Sequence, residues 1–559
     1  MKNPQSRLLP LLLLSAAAVQ AAGTDVPVKN NALEDARDNL REIRNIENNL
    51  REEAAWSLQK NRQEDAATPA ETAQTPPPTD ISGSTQACLK YQNVEIKGIN
   101  LINAEKIRNN LPKCVTEQSL NQLSRDITAA YIEKGYPYNK IDFIEENGGL
   151  TVRVTEGRIK EITGGSRTVN IHTLFPGHKN KPVNIRYLDQ GIEQANKLSG
   201  NNVSMDVYPH DDGTATIALQ NETGKNWFGS ITVDNKGSSS RPAVARVQAG
   251  IDSPLGLSDS LYISGYSNIR HGNGYYSRGG NLFYNVPYGM WTFSGYVGQS
   301  RSQSITRFSS GVELAYRSRN QTAGIKAERV ISRGQKHIAS AYAGTDYLRT
   351  KAVYGGSTIA MQSPRLATVQ AGLSHSYMLK NGIWMNNIGL EVGTRMWGAK
   401  DRQDSPFTAH HRLYTLQSDL SQSRRLGKWL LRNQHRLSAQ YSKSDLYATK
   451  QFSAGDRSNV RGFKKLSLDG NSGMALNNNL LARRYTKTGI YVEPYVGADW
   501  GFAKDTENRY RGTGIAAGIN IGYRQRWQFN LESARGFFKD RKQSKAREEQ
   551  ISASFRVYF

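Results

Sequence analysis

Few side chains in this sequence are spaced for covalent or acid–base chemistry, and those few point to architecture rather than turnover. Cys88 and Cys114 are the only thiols among 559 residues. Two cysteines cannot build a four-ligand zinc site, and their spacing is not that of a Cys-x-x-Cys redox centre. In an oxidising compartment they would form one disulfide, closing a loop of roughly 25 residues and stabilising by about 3 kcal/mol. His410-His411 invites a metal reading, but neighbouring residues on a strand face opposite ways, so a loop pair is expected instead. No Walker-type phosphate loop, nucleophile elbow or His-Glu-x-x-His helix occurs. Gly272-Asn273-Gly274 falls in a loop with no helix after it and is not a dinucleotide site. No catalytic residue, metal or cofactor is expected.

Two other segments carry pairing chemistry. Asp456-Arg457-Ser458-Asn459-Val460-Arg461-Gly462-Phe463 sets a glycine between a cation and an aromatic, in a long loop between strands. Tyr495-Val496-Gly497-Ala498-Asp499-Trp500-Gly501 reads as a strand, which puts Tyr495, Gly497 and Asp499 on one face. Gly497 leaves room there for another piece of chain. Arg461 and Asp499 could then meet as a charge-assisted pair. Two unrelated solvated charges is the alternative, and spacing alone favours it.

The elements that would position these residues are strands of period two, from about Trp227 to the C-terminus. Ala367, Val369, Ala371, Leu373 and Tyr377 alternate with Thr368, Gln370, Gly372, Ser374 and Ser376. A tight Lys380-Asn381-Gly382 turn follows. The return strand is expected to point Ile388, Leu390, Val392 and Met396 outward, with Asn387, Gly389, Glu391 and Arg395 inward. Trp291, Phe293 and Val297 repeat the theme against Thr292, Ser294 and Tyr296, after a turn at Pro287-Tyr288-Gly289. Long strands that are apolar on one face and polar on the other suit a lipid-facing wall around a wet lumen. Such a wall also accommodates a mean hydropathy of −0.61. Beyond the first two dozen residues there is no run of about 20 apolar residues to make a membrane helix. At roughly 20 residues per strand and loop, this region holds about 16 strands, enough to enclose an aqueous channel. The last strand places Ile551, Ala553, Phe555, Val557 and Phe559 on one face and ends on an aromatic. Phe555, Val557 and Phe559 are expected to form a sticky terminal signature of the kind that many outer-membrane barrels present to their assembly machinery.

Upstream, residues 88 to 222 read as mixed α/β. A short strand Val94-Glu95-Ile96 precedes a helix from Glu117 to Glu133 that presents Leu120, Leu123, Ile127 and Tyr131 on one face, stopped by Gly135-Tyr136-Pro137. Strands follow at Lys140 to Ile144 and Leu150 to Val154, joined through Asn147-Gly148-Gly149. The pattern then recurs: a strand Ile159 to Ile162, a helix Arg186 to Leu198, and a hairpin of Val203 to Val207 with Thr214 to Leu219 around Asp211-Asp212-Gly213. Two small β-α-α-β-β units are expected, with a single irregular α+β domain as the alternative. Earlier still, Pro69 and Pro76-Pro77-Pro78 mark an extended linker over Ala66 to Gln86. Leu33, Ala36, Leu40, Ile43, Leu50 and Ala54 recur at helical spacing within the Gly- and Pro-free stretch Ala32 to Gln63. Lys2 and Arg7, the apolar Leu8 to Ala18 and the small-residue site at Val19-Gln20-Ala21 read as a secretory signal. The net charge of +24 is spread along the chain, and no nucleic-acid-binding module accompanies it. A basic lumen and loops facing lipopolysaccharide phosphates or a polypeptide in transit account for that charge.

With these parts in order, the sequence resembles the outer-membrane transporters of two-partner secretion, the TpsB branch of the superfamily that includes outer-membrane assembly factors. The resemblance rests on Val460-Arg461-Gly462-Phe463, which matches the superfamily's inward loop motif, and on Tyr495-x-Gly497-x-Asp499, which matches the barrel-strand motif the loop arginine contacts. The family usually has Phe where Tyr495 stands. Glu156-Gly157 after a strand and Gly135-Tyr136 after a helix match the first POTRA domain. The resemblance implies a mainly β chain: a sixteen-stranded transmembrane β-barrel preceded by two small α+β POTRA domains and an N-terminal plug helix. The segments would be a signal peptide at 1–21, plug helix 31–63, Pro-rich linker 64–87, POTRA domains 88–157 and 158–224, and barrel 225–559. The expected function is export of a large unfolded exoprotein, captured in the periplasm, without nucleotide hydrolysis. The partner would be a secreted β-helical adhesin, haemolysin or contact-dependent toxin, with outer-membrane lipid, lipopolysaccharide and the barrel-assembly machinery as further partners and no nucleic acid. A barrel-assembly insertase of the same superfamily is the alternative, and a plain porin a third.

Overall fold

The structure is a computed structural model that describes residues 94–109, 115–146, 148–237, 243–269, 274–307, 310–401, 405–524, 526–541 and 544–559. The expected signal peptide, plug helix, linker, and Cys88–Cys114 disulfide lie outside the described residues.

The upstream region is two units, each with its own sheet and core, not one irregular domain. In the first, β1 (Val94–Lys97) runs parallel to the central β3 (Gly149–Glu156), and β2 (Asn139–Glu146) antiparallel on its other side. Helix α1 (Glu105–Asn109) and the longer α2 (Glu117–Lys134) cover one face. Thr116 and Ser119 form a capping box at the start of α2, and Gly135, at φ 90°, closes its end in the left-handed region that glycine occupies without strain. Leu123, Ile127 and Tyr131 are buried against Val152 and Val154, while Leu120 is only half-buried. The second unit repeats the plan with β4 (Arg158–Thr163), α3 (Ile171–Leu174), α4 (Ile185–Asn196), β5 (Val203–Pro209) and β6 (Thr214–Asn221), the last in the centre. The helix expected from Arg186 to Leu198 begins one residue earlier and ends at Asn196, because the Asn184 side chain accepts the Arg186 and Tyr187 N–H groups as its N-cap.

From Trp227 the chain closes a barrel of sixteen long antiparallel strands. They are β7 (Trp227–Asp234), β8 (Val244–Asp252), β9 (Ser260–Asn268), β10 (Tyr276–Tyr288), β11 (Trp291–Arg307), β12 (Glu313–Arg333), β13 (His337–Tyr354) and β14 (Arg365–Leu379), then β15 (Gly382–Thr394), β16 (Arg412–Leu426), β17 (Trp429–Tyr441), β18 (Ser472–Tyr485), β19 (Ile490–Lys504), β20 (Arg509–Tyr523), β21 (Trp527–Lys539) and β22 (Lys545–Tyr558). Period-two alternation decides inside from outside. Val369, Leu373, Ile388 and Leu390 are exposed on the outer surface, whereas Thr368 is buried. Register lines outer apolar residues up across neighbouring strands, as in Ile231–Val247 and Ile263–Leu282–Val297. Among the described residues no helix is long and apolar enough to cross a membrane; the strands are what present an apolar belt.

Two sequence expectations shift. The strand expected to carry Arg395 and Met396 stops at Thr394, and Met396–Gly398 forms a short 3-10 turn with Trp397 at φ 53°. Pro287 is paired inside β10, opposite Thr292, so the turn there is Gly289-Met290. Proline fits that strand position because its ring removes one donor and leaves the extended backbone intact.

The second unit sits on the barrel end that carries the short turns. Arg333 at the end of β12 donates to Gln190 at 2.8 Å and pairs with Glu193, both on α4. Gln194 donates to Thr292 at 2.8 Å. Asp252 accepts from Ser199 and from the Gly200 N–H, each at 2.8 Å, and Asn170 donates to the Gly256 carbonyl at 2.7 Å. Long-range bonds to β8, the β8–β9 loop, β11 and β12 make the junction a docked interface rather than a bare tether.

Candidate functional site: an inward loop held against a glycine-lined wall

The segment between β17 and β18, residues 442–471, turns back into the lumen instead of projecting from the rim. Its own residues build a small core there: Phe452, Ala454, Val460, Phe463 and Leu468 are buried together with Ala475, Ala503 and Phe538 of the wall. An apolar tip would not stay in a wet lumen without such cover, since burying one large apolar side chain is worth about 1.5–3 kcal/mol.

At the tip, the sequence expectations for Arg461 and Asp499 meet. The Arg461 guanidinium donates to both Asp499 oxygens, Nε to Oδ2 and Nη2 to Oδ1, each at 2.8 Å, and the Arg461 backbone N–H donates to Oδ2 at 3.0 Å. This is a planar fork on a carboxylate, the geometry arginine supplies and lysine cannot. The remaining donors are also used: Nη1 reaches Asn479 at 2.7 Å and Glu532 at 3.2 Å, and Nη2 reaches the Asn478 carbonyl at 3.2 Å. Both side chains of the pair are buried. Removing one partner from such a pair costs about 3–5 kcal/mol, because the other charge stays desolvated.

The wall makes room by omitting side chains. A Cβ on Gly497 would lie 2.0 Å from Arg461 Nη2, and one on Gly514 would lie 2.6 Å from the Arg461 carbonyl oxygen. Gly501 and Gly536 likewise face Val460 and Phe463. Gly462 itself has φ 94°, and a Cβ there would meet the Gly536 backbone at 2.2 Å. Loop and wall therefore fit glycine to glycine.

Tyr495, on the same face two residues before Gly497, uses the hydroxyl that a phenylalanine would lack. It donates to Glu532 at 3.0 Å and accepts from Asn530 at 3.1 Å. Glu532 thereby joins the arginine to the tyrosine. The loop has further holds that spacing did not indicate. Lys450 pairs with Glu391 of β15 at 2.6 Å, and His411 reaches the same carboxylate at 2.9 Å. The Lys465 and Leu466 N–H groups donate to Glu548 of β22 at 2.7 and 3.1 Å. Arg457 donates to the Lys236 carbonyl just beyond β7 at 2.5 Å. Asn477, Asn478 and Asn479 were also missed, although three consecutive asparagines inside a strand are an anomaly of β propensity that could have flagged them. His410 and His411 do not share a ligand position: His410 reaches Asp401 at 2.6 Å, on another carboxylate from that of His411.

At the barrel's closure, Phe555 pairs with Val233 and Val557 with Ile231, and the Phe559 N–H donates to the Gly229 carbonyl at 2.9 Å. Phe555 and Val557 thus lie on the strand that completes the cylinder, and Phe559 directly follows it.

A family model described as haemolysin secretion/activation protein ShlB/FhaC/HecB matches residues 213–525. Models of the ShlB-type POTRA domain and of the POTRA domain match residues 89–157 and 153–209. The haemolysin transporter protein ShlB of Serratia marcescens is 31% identical over 487 residues, 84% of this chain and 86% of that protein. The haemolysin transporter protein HpmB of Proteus mirabilis is 31% identical over 83% of this chain and 84% of its own length. Among solved structures, CdiB from Escherichia coli superposes with a TM-score of 0.78 at 20% identity, covering 90% of this chain and 98% of that one, a likeness of fold.

Proposed function

The chain belongs to the haemolysin secretion/activation family of ShlB, FhaC and HecB, outer-membrane transporters of two-partner secretion with periplasmic POTRA domains, and from that premise we propose how its parts divide the work. The POTRA units capture one large unfolded exoprotein in the periplasm. Its chemistry is that of the partners carried by the relatives, a haemolysin or a contact-dependent toxin, or an adhesin of the same β-helical kind. Extended polypeptide adds to sheet edges through main-chain hydrogen bonds. The outer strands β2 and β5 offer such edges, with Phe143, Val207 and Tyr208 exposed beside them. The opposite edge of the second sheet is occupied, since the Ile159 N–H already donates to the Lys181 carbonyl at 2.8 Å.

The inward loop is the gate. The observation that carries this is the buried fork of Arg461 on Asp499, which fixes the tip of a thirty-residue-scale excursion across the lumen, while Lys450 on Glu391 and Tyr447 packed against Leu348 and Leu366 hold its base. Segment 31–63 stoppers the same lumen at rest, and deleting it raises ion conductance in planar bilayers; unchanged conductance removes the stopper from the scheme. Export runs without nucleotide and without a catalytic step, driven by folding of the exoprotein outside. Lipopolysaccharide meets the basic outer loops, and the barrel-assembly machinery recognises the terminal strand during biogenesis.

The test is mass spectrometry of culture supernatant and outer membrane with and without the gene. Loss of one or a few very large exoproteins, with other barrels unchanged, is the expected result. A general fall in outer-membrane barrels would instead indicate an insertase.

A further inference from the structure

The barrel closes over a short stretch. β22 pairs with β7 only from Ser554–Asp234 to Tyr558–Ser230, whereas it pairs with β21 along its full length, from Lys545–Lys539 to Val557–Trp527. Because β7 stops at Asp234, the upper part of β22 has no strand partner on that side among the described residues.

Asn235 ends the seam by imitating one more residue of strand. Its N–H donates to the Ala553 carbonyl at 3.2 Å, its Oδ1 accepts the Ala553 N–H at 2.9 Å, and its Nδ2 donates to the Ile551 carbonyl at 3.0 Å. These bonds also fix which backbone groups face the seam. The odd-numbered residues of β22 point that way, as Phe559 does toward Gly229, while Tyr558 points to Arg526 on the β21 side. Above Ile551 the seam-facing groups are therefore the N–H and C=O of Glu549 and Arg547, and no bond to them from another described residue occurs.

This edge stands at the exit side of the wall. The strand begins after the β21–β22 turn, on the end of the barrel opposite the docked POTRA unit. Its outer face is charged, with Arg535 and Glu549 paired at 2.6 Å and both exposed, so it rises above the apolar belt that Ile551 and Phe555 mark. Its inner face borders the gate: Glu548 holds the Lys465 and Leu466 N–H groups of the inward loop. β7, β8 and β9 are the shortest barrel strands.

We propose that the seam-facing edge of β22 above Ile551, residues Lys545 to Glu549, receives the emerging exoprotein as an added antiparallel strand on the cell surface. The occupant is an extended polypeptide recognised through its main chain, without a side-chain motif. The inference rests on the transport function above, which supplies unfolded chain at this rim. Bonding to the edge would hold newly emerged chain outside and present it already extended.

The register provides a selective test. At Arg547 and Glu549 a proline removes a donor aimed at the seam and none aimed at β21, and edge strands tolerate proline for that reason. Arg547→Pro with Glu549→Pro should lower exoprotein secretion by about tenfold, roughly what two net backbone hydrogen bonds contribute, with outer-membrane yield unchanged. Arg547→Ala with Glu549→Ala, which keeps both N–H groups, should secrete normally. In parallel, Glu549→Cys should cross-link to single cysteines in an exoprotein stalled by a folded C-terminal fusion, whereas Arg535→Cys, one strand further away, should not. Wild-type secretion by the proline variant, equal loss in the alanine variant, or equal cross-linking from both cysteines would each overturn the proposal. If the proline variant does not reach the membrane, the cross-link alone decides. The unmodified transporter must export the same exoprotein in the same cells; failure there would strike the transport function itself rather than the edge.

Discussion

Arg461 shows how a residue can be chemically obvious and structurally undecided until register is known. Its type and its neighbours Gly462 and Phe463 marked it, and period two placed Asp499 and Gly497 on one face. Glu532, Asn479 and Glu548 were not legible, because each lies on a strand brought alongside only by closure of the cylinder. The glycines turn the contact into a prediction. Gly514→Ala puts a methyl group against the Arg461 carbonyl oxygen, at 2.6 Å before relaxation, and overpacking of this kind costs about 1–3 kcal/mol. The loop tip should undock in a larger share of molecules, seen as a rise in open-channel conductance at normal outer-membrane yield. Arg461→Ala should reduce export while barrel insertion remains intact, checked by secretion assay and by heat-modifiable gel migration.

A second residue-scale consequence concerns Glu156 in the first POTRA unit. Partial burial raises its pKa, but the Asn100 N–H, the Tyr131 hydroxyl and the Leu101 N–H outweigh burial and hold the carboxyl below its ordinary value. A depressed carboxyl contributes stability that is present above the unfolded pKa and is lost as pH falls through the folded one. The first unit should therefore loosen in acid, and Glu156→Gln should remove that pH dependence. Hydrogen exchange at Asn100 and Leu101 between pH 7 and pH values below about 4 measures it; an unchanged acid profile in the variant would contradict the assignment.

At the scale of elements, the long helices and the hairpins of the two upstream units were legible to within a residue or two, since caps and glycine stops are local signals, whereas the short α1 and α3 were not placed. The docking of α4 onto the barrel was not. It depends on Arg333, more than a hundred residues away in sequence, whose side chain is buried between Gln190 and Glu193. Arg333→Ala should leave Glu193 desolvated and weaken the junction by about 3 kcal/mol or more. Proteolysis between the second unit and β7 should accelerate in that variant while the barrel itself stays resistant. The misplaced end of β15 has the same origin as the hidden contact: alternation continues through Arg395 and Met396 in sequence, but Trp397 takes a positive φ and the chain leaves the wall.

For the whole molecule, the alternation and the order of parts already implied a barrel with periplasmic attachments. What the sequence did not contain is where the cylinder is weakest. Phe559 contributes to the small set of bonds that close it, through its N–H to Gly229. Deleting Phe559 should lower the folded outer-membrane fraction more than it lowers total protein, measured by gel shift after mild extraction.

The unequal strand heights bear on the lipid as well as on the exoprotein. β7, β8 and β9 run eight, nine and nine residues, at the short limit for a tilted membrane strand, about 9–11 residues, while β12 runs 21. The long strands rise past the apolar belt, with Arg317 and Arg319 of β12 exposed beyond it, so only the short strands beside the closure ask for a locally thin bilayer. The protein carries a built-in hydrophobic mismatch localised on one meridian. Refolding into short-chain phosphatidylcholine vesicles should accordingly be faster than into long-chain ones, and shortening β12 should not abolish that preference, because the thin side sets it.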